Sequence, residues 1–381
     1  MDKNPHESIV DKVVNNPAYE LLGGYQLFLR RVTIPIILVL ILLLSYTLFS
    51  GFTNSDNATI LAFGFTGLLL GPVLNLDRLL AHDQIDCLLI ASPNFCHVDQ
   101  LEAIAASVTL PILVEKPLFT KPEDWSRLES FKRRYTAPVW VAMEYRYMPP
   151  MQQFLARADD ATGGVKMLTV VEHRYPFLKK VGNWNRFNRN SGGTFVEKCC
   201  HFFDLMRLTL KSDPVRVMAS AGQMVNHLNE TYDGKTPDIW DCGYVLVDFA
   251  SGARAALELS MFADGSQFQE MIHAVGSQGK LEVKVPGPAR LWTGPKDRLP
   301  MAQLIDSPRV ACNPVTIECP VEETILAAGD HNGSTYYQHQ KFLAVVRGSG
   351  SVEVTIDDGI WAVRMGQAAQ ESASKGQAVL F

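Results

Sequence analysis

The sequence predicts an α/β fold in two lobes: a doubly wound parallel sheet, then an α+β lobe on an open antiparallel sheet, with an apolar membrane-type segment ahead of both. Three observations carry that prediction. Short apolar runs alternate with helical periodicity between residues 87 and 143, closely spaced alternating strands dominate after residue 165, and composition breaks near residue 75. A chain of 381 residues suits two lobes, because single cores stop growing near roughly 250–300 residues. The expected organisation is an atypical N-terminal region over 1–74, a partial first lobe over 75–147 and a second lobe over 148–381.

In the first lobe, Cys87 to Ala91 is a continuous apolar run stopped by Pro93, as suits a strand buried on both faces of a parallel sheet. Val98, Leu101, Ile104, Ala105 and Val108 then recur at helical spacing, and Ile112 to Val114 is the next strand. A helix between Asp124 and Tyr135 and a strand over Val139 to Met143 complete the rhythm. Ligands of such sheets bind beyond the carboxyl ends of the strands, where Ser92-Pro93-Asn94 and Glu115-Lys116-Pro117 fall. In the second lobe, strands are expected over 167–173, 215–219, 243–249, 253–259 and 271–275, with helices over 336–347 and 359–375 packing back on the first lobe.

The region ahead of residue 75 reads differently. Val32 to Phe49 carries no charge for eighteen residues, about the length that crosses a hydrocarbon core of roughly 30 Å. A second uncharged run, Asn57 to Leu76, is interrupted by Gly64, Gly67, Gly71 and Pro72 and reads either as a second span or as a buried strand and turn. The late start of the first run and the lack of a small-residue cleavage site argue against a signal peptide. With two spans, the lysine and arginine distribution anchors the protein in a membrane with its large domain in the cytosol. With one span that domain lies on the far side, where Asn229 and Asn332 head glycosylation sequons. If residues 1–74 are an alternative start, the remainder is a soluble cytoplasmic protein.

Charged residues make up 20% of the chain and the formal net charge is −5, so no basic excess exists to neutralise a phosphate backbone, which argues against nucleic acid as a partner. Seven cysteines, an odd count without regular spacing, do not form a disulfide framework. Cys199-Cys200-His201 suggests a metal at first sight. Adjacent cysteines on a helix point about 100° apart, whereas structural zinc sites use separated pairs, so buried thiols are the expectation and no metal is.

The stretch DCLLIASPNFCHVDQ followed by LVEKPL resembles the glucose–fructose oxidoreductase, inositol dehydrogenase and rhizopine-catabolism family of NAD(P)-dependent enzymes. The resemblance continues through Glu144 to Tyr147, Gly192-Gly193 with Glu197 and His201, His331 to Tyr336, and Asp358 to Trp361, covering about 300 residues. It implies a Rossmann-like first domain and a hydride transfer between NAD or NADP and a sugar, inositol or related polyol. It also implies that the open sheet pairs subunits into a homo-oligomer. The sequence departs from the family in having no G-x-G-x-x-G turn to hold a pyrophosphate, so the N-terminal part of the first domain is atypical or incomplete. A membrane-anchored, non-catalytic family member that has lost its cofactor is the alternative.

Oxidising a secondary alcohol needs a base for the hydroxyl proton while the hydride leaves, and a histidine suits that role. His201 stands four residues after Glu197, so one helix starting near there would put both on one face. The family usually has Asp where this chain has Glu197. The resemblance makes Lys116 the partner that hydrogen-bonds the substrate oxygen, with a lowered pKa expected beside a cationic nicotinamide, and gives Glu115 the cofactor ribose. Pro93, Asn94 and His97 are further cofactor-side candidates, His97 with a structural role as its alternative. Trp184 and Arg186 resemble a family loop on the nicotinamide side, with rim residues as their alternative. Tyr145 and Tyr147 are expected to pack, with one phenol near the substrate.

Overall fold

A computed structural model describes residues 76–80 and 85–381, apart from 296–297, 311, 313 and 329. The chain divides into two compact units, 1–84 and 85–381. Of the first unit only the short helix Leu76–Leu80 is described. The expected spans at 32–49 and 57–76 lie outside the described residues, save Leu76. Among the described residues no helix is long and apolar enough to cross a membrane.

The second unit begins with the strands expected from the apolar runs. β1 (Leu88–Ile90), β2 (Ile112–Val114) and β3 (Val139–Val141) form a three-stranded parallel sheet in that order. They are connected by α1 (His97–Ser107) and α2 (Asp124–Arg134). Every residue of β2 and β3 is buried, which explains why these runs lack alternation. Parallel pairing puts the carboxyl ends of β1 and β2, and so Asn94 and Lys116, on one edge.

The second lobe holds α3 (Pro149–Thr162), β4 (Val165–His173), α4 (Thr194–Glu197), α5 (Cys200–Leu210), β5 (Pro214–Gly222), β6 (Cys242–Phe249), β7 (Arg254–Ser260), β8 (Glu270–Gly276), β9 (Gly279–Val285), β10 (Ala302–Pro308), β11 (Val315–Cys319), α6 (Ser334–Val346), α7 (Ile356–Lys375) and β12 (Val379–Leu380). The strands make one nine-stranded sheet in the order β11-β10-β9-β8-β4-β7-β6-β5-β12. The expectation of a purely antiparallel sheet needs correction, because β4 pairs with β7 in parallel. The chain leaves β4 through α4 and α5 and re-enters the sheet at β5 in the same sense. The β5–β6–β7 meander then returns it beside β4.

Alternation makes this sheet two-faced. In β6, Val245 and Val247 are buried while Tyr244 and Leu246 face solvent. The inner face packs on α3, α5 and α7 in one core that includes Phe154, Phe202, Phe203 and Met365. Each fully buried aromatic of this kind contributes about 1.5–3 kcal/mol. The C-terminal helix returns to the first lobe as expected. A Cβ on Gly359 would sit 3.0 Å from Leu118 and Val141, and one on Gly366 only 2.6 Å from the Phe195 carbonyl, so small residues let α7 lie against both β3 and α4. A capping box between Thr355 and Asp358 starts that helix.

Candidate active site

Two strand ends and one helix start meet at the site. Past β2, the Lys116 ammonium donates to the Glu197 carbonyl oxygen at 3.0 Å and lies 3.9 Å from that residue's carboxylate. The other carboxylate oxygen of Glu197 accepts from the Asn94 side-chain amide, in the turn after β1. Lys116, at the end of β2, is thus held by the end of α4, which Asn94 in turn ties to the end of β1. Burial alone would lower its pKa, but Glu197, Glu115 and Glu144 outweigh that and raise it. The protein groups alone thus favour the protonated lysine, whereas the expectation of a lowered pKa concerns a lysine beside a bound nicotinamide. Burial and the neighbouring Glu144 push Glu115 itself up to about 7, against the pull of Lys116.

Glu197 and His201 do not share one helix. Glu197 closes α4, His201 sits in the first turn of α5, and Lys198 and Cys199 fill the turn between them. Gly192 and Gly193, at φ +83° and +90°, make the preceding bend, and a Cβ on Gly192 would meet Val196 at 2.7 Å. The consequence is a division of partners. Glu197 turns to Lys116 and Asn94, whereas the imidazole of His201 stacks on Tyr145, with ring centroids 4.2 Å apart and planes within 7°. The ring is buried, and its Nδ1 has no protein partner. Burial first, then Lys116, Lys198, His331 and Arg174, hold His201 well below the ordinary histidine range, so its imidazole is neutral at physiological pH.

A buried polar floor lies against this pair. Tyr145 donates to Glu270 at 3.1 Å and accepts from Lys198, whose ammonium is 2.8 Å from Glu172. Glu172 and Glu270 face each other directly across β4 and β8. Burial and Glu172 push Glu270 up to about 7. His331 tilts over Tyr145 with centroids 4.7 Å apart and reaches Glu144 at 3.8 Å, and Glu144 also accepts from Thr335. The Arg146 guanidinium, 2.6 Å from Asp204 through its Nε, ties the segment bearing Tyr145 to α5.

Not every expected site residue reaches this centre. His97 is fully buried, its ring nitrogens 2.9 Å from the Pro117 carbonyl and 3.0 Å from the Ser92 carbonyl, so it ties the two strand-end loops and has no nitrogen left for a cofactor. Arg186 is neither a rim residue nor a free anchor, because its buried guanidinium is committed to Glu230 at 2.9 Å. Trp184 does reach the β1 end, edge-on to Phe95 at 6.4 Å. Pro93 caps the turn that carries Asn94. Tyr147 packs on Trp140, whereas Tyr145 joins the floor. Cys199 and Cys200 are buried, and burial pushes the Cys200 thiol up to about 12, which makes it inert. Sequence reasoning gave no role to Lys198, Glu172, Glu270, Glu144 or His331. Glu144, Lys198 and His331 lay inside motifs that carried the resemblance, while Glu172 and Glu270 became visible only through strand register.

The residues present fit the reactive end of a nicotinamide cofactor. A protonated lysine and a neutral histidine with an unpaired nitrogen converge where parallel strands end, the place such sheets offer to dinucleotides. Comparison with known proteins agrees. A family model described as "Oxidoreductase family, NAD-binding Rossmann fold" matches residues 51–143, and one described as "Oxidoreductase family, C-terminal alpha/beta domain" matches residues 159–381. The first match reaches back past residue 75 and takes in the second apolar run. The chain is 26% identical to the rhizopine catabolism protein MocA of Rhizobium meliloti over 182 residues, 46% of this chain and 52% of that protein. It is also 26% identical to inositol 2-dehydrogenase of Rhizobium meliloti (strain 1021) over 220 residues, 58% and 63% of the two chains. The chain thus spans about half to two thirds of these relatives' length. A levoglucosan dehydrogenase solved with NADH and levoglucosan superposes with a TM-score of 0.64 at 17% identity, over 81% of this chain and 83% of that one, which shows a shared fold. With more than half the chain under one model and the strand-end geometry in place, the protein belongs to the glucose–fructose oxidoreductase, inositol dehydrogenase and rhizopine-catabolism family and carries its NAD-binding Rossmann-fold domain.

Proposed function

We propose that this chain is an NAD(P)-dependent oxidoreductase that transfers a hydride between a nicotinamide cofactor and a sugar, inositol or related polyol. The observation that carries the reading is Lys116 held by Glu197 at the end of β2, with the buried His201 imidazole and its unpartnered Nδ1 in the first turn of α5. When bound, the nicotinamide supplies the hydride acceptor. Lys116 holds the substrate oxygen by a charge-assisted hydrogen bond and stabilises negative charge as it develops there. His201 takes the hydroxyl proton on a ring nitrogen, and Tyr145 fixes the plane in which that nitrogen lies. Asn94 and Glu197 hold Lys116 in place. Glu115, at the same strand end, would hold the cofactor ribose, and Pro93 and Trp184, at the end of β1, would line the cofactor side.

Titration calorimetry with NADH, followed by turnover with a panel of sugars and inositols, tests the reading. Lys116→Ala and His201→Ala should each abolish turnover in folded protein. Failure to bind any nicotinamide would instead support a non-catalytic family member, the reading that the missing G-x-G-x-x-G turn favours. The outer sheet face is proposed to pair two copies of the chain, since Met218 and Leu246 are exposed opposite each other across β5 and β6, with Tyr244 exposed two residues along β6. Light scattering on Leu246→Glu should show the oligomer dissociating.

A further inference from the structure

The proposed chemistry leaves one buried cation without a task. Lys198 occupies the turn between α4 and α5, and its side chain is only 4% exposed. Its ammonium is paired with Glu172 at 2.8 Å, donates to the Tyr145 hydroxyl and lies 4.6 Å from the centre of the Tyr145 ring. Three contacts, one to Glu172 in β4 and two to Tyr145 in the turn after β3, therefore fix a charge that a lysine ordinarily keeps in water. Tyr145 in turn presents its flat face to His201 and its hydroxyl to Glu270.

The stacking excludes a proton relay. A phenol hydroxyl that serves Lys198 and Glu270, on a ring lying face to face with an imidazole, offers no hydrogen-bonded path to either imidazole nitrogen. What reaches His201 from Lys198 is its electric field and the placement of the Tyr145 ring. Other charged groups face His201 from each packed element: Lys116 from the end of β2, Arg174 from the end of β4, and His331 from the loop before α6. Of these, Lys116 is the one committed to the substrate oxygen in the proposed reaction, so its field changes as substrate binds. The field of Lys198 does not change.

We propose that Lys198 is a positioning residue for His201: its ammonium, anchored on Glu172 and the Tyr145 hydroxyl, sets the surface on which the imidazole stacks and places a positive charge behind that surface. The inference deepens the proposed role of His201 as the base and rests on it. Its immediate consequence, the protonation state of one histidine, is measurable without turnover. A wholly structural lysine would affect melting and leave that histidine alone.

The experiment is an imidazole-nitrogen NMR titration of His201 in the full chain, without cofactor or substrate, for wild type, Lys198→Met and Lys198→Arg. Lys198→Met should raise the titration midpoint of His201 by about one pH unit or more, the effect of removing a like charge, and Lys198→Arg should return it toward wild type. The acidic limb of kcat/KM should move with it once a substrate is in hand. If Lys198→Met does not fold, the paired variant Lys198→Gln with Glu172→Gln, which leaves no lone buried charge, carries the same expectation with a smaller shift. A wild-type midpoint for His201 in either folded variant would overturn the proposal. Absence of nicotinamide binding would leave the titration standing and overturn only the oxidoreductase reading.

Discussion

The two lysines of the site live in contrasting surroundings, and the contrast divides the molecule's labour. Lys116, at an end of the three-stranded sheet, keeps 20% of its side chain exposed and is ringed by carboxylates that raise its pKa. Lys198, over the nine-stranded sheet, is sealed, and burial lowers its pKa even against Glu172. One lysine has charge to lend to a substrate oxygen. The other has its charge fully committed to the protein. Changes at the open strand ends should therefore alter rate with little effect on stability, and changes in the buried floor should cost stability first, with any effect on rate passing through the His201 imidazole that stacks on it.

The hardest break of that contrast is Arg146→Ala. Arg146 and Asp204 form a buried bidentate pair that joins the Tyr145 segment to α5, and Asp358 at the start of α7 joins them at 3.5 Å. Removing one partner strands a buried carboxylate, which costs about 3–5 kcal/mol. Urea denaturation should register that loss in full. An unchanged midpoint would mean the floor carries no stability and the division fails.

A smaller effect comes from Glu270→Gln, and it has a pH signature. Glu270 has an ordinary value of 4.5 and is pushed up to about 7 by burial and by Glu172. The folded state therefore favours the protonated carboxyl. Its contribution is present below pH 4.5 and is lost as pH rises through about 7, because the unfolded chain gives up the proton first. Relative to the Gln variant, wild type should lose roughly 1–3 kcal/mol across that window and nothing further above it. Thermal melts of both proteins at closely spaced pH values check the sign. Parallel curves would place Glu270 outside the buried network.

How much of this was legible in the sequence follows the range of the interactions. The three parallel strands could be read because their signal is local, an apolar run ended by a turn residue, whereas the roles given to Lys116 and His201 came from the resemblance. The floor could not, since Glu172 meets Glu270 only through the register of strands nearly a hundred residues apart. Of the two readings of His97 the structure matches the structural one, which the sequence could not choose because its partners are backbone carbonyls. Arg186 was misplaced because Glu230 reaches it from a loop 44 residues on. The parallel pairing of β4 and β7 was hidden for a similar reason, as strand direction is set by the helical crossover between β4 and β5. Glu197 illustrates the boundary: its residue type and neighbourhood were readable, but the break between α4 and α5 that turns it toward Lys116 was not.

That break motivates the mildest prediction, on the open side of the contrast. Glu197→Gln keeps the shape and a carbonyl oxygen for Asn94 while removing the negative charge beside Lys116. Glu197 raises the pKa of Lys116 more than any other group does, so its loss lets the pKa fall. The alkaline limb of kcat/KM should then move to lower pH by about one unit, as expected for losing one opposite charge, with stability changed by less than about 1 kcal/mol because the backbone contact from Lys116 to the Glu197 carbonyl survives. Rates measured against pH, beside urea titrations of the same protein, separate the two effects. A stability loss as large as that of Arg146→Ala would show that the strand ends belong to the core and that the two lysines do not divide the work.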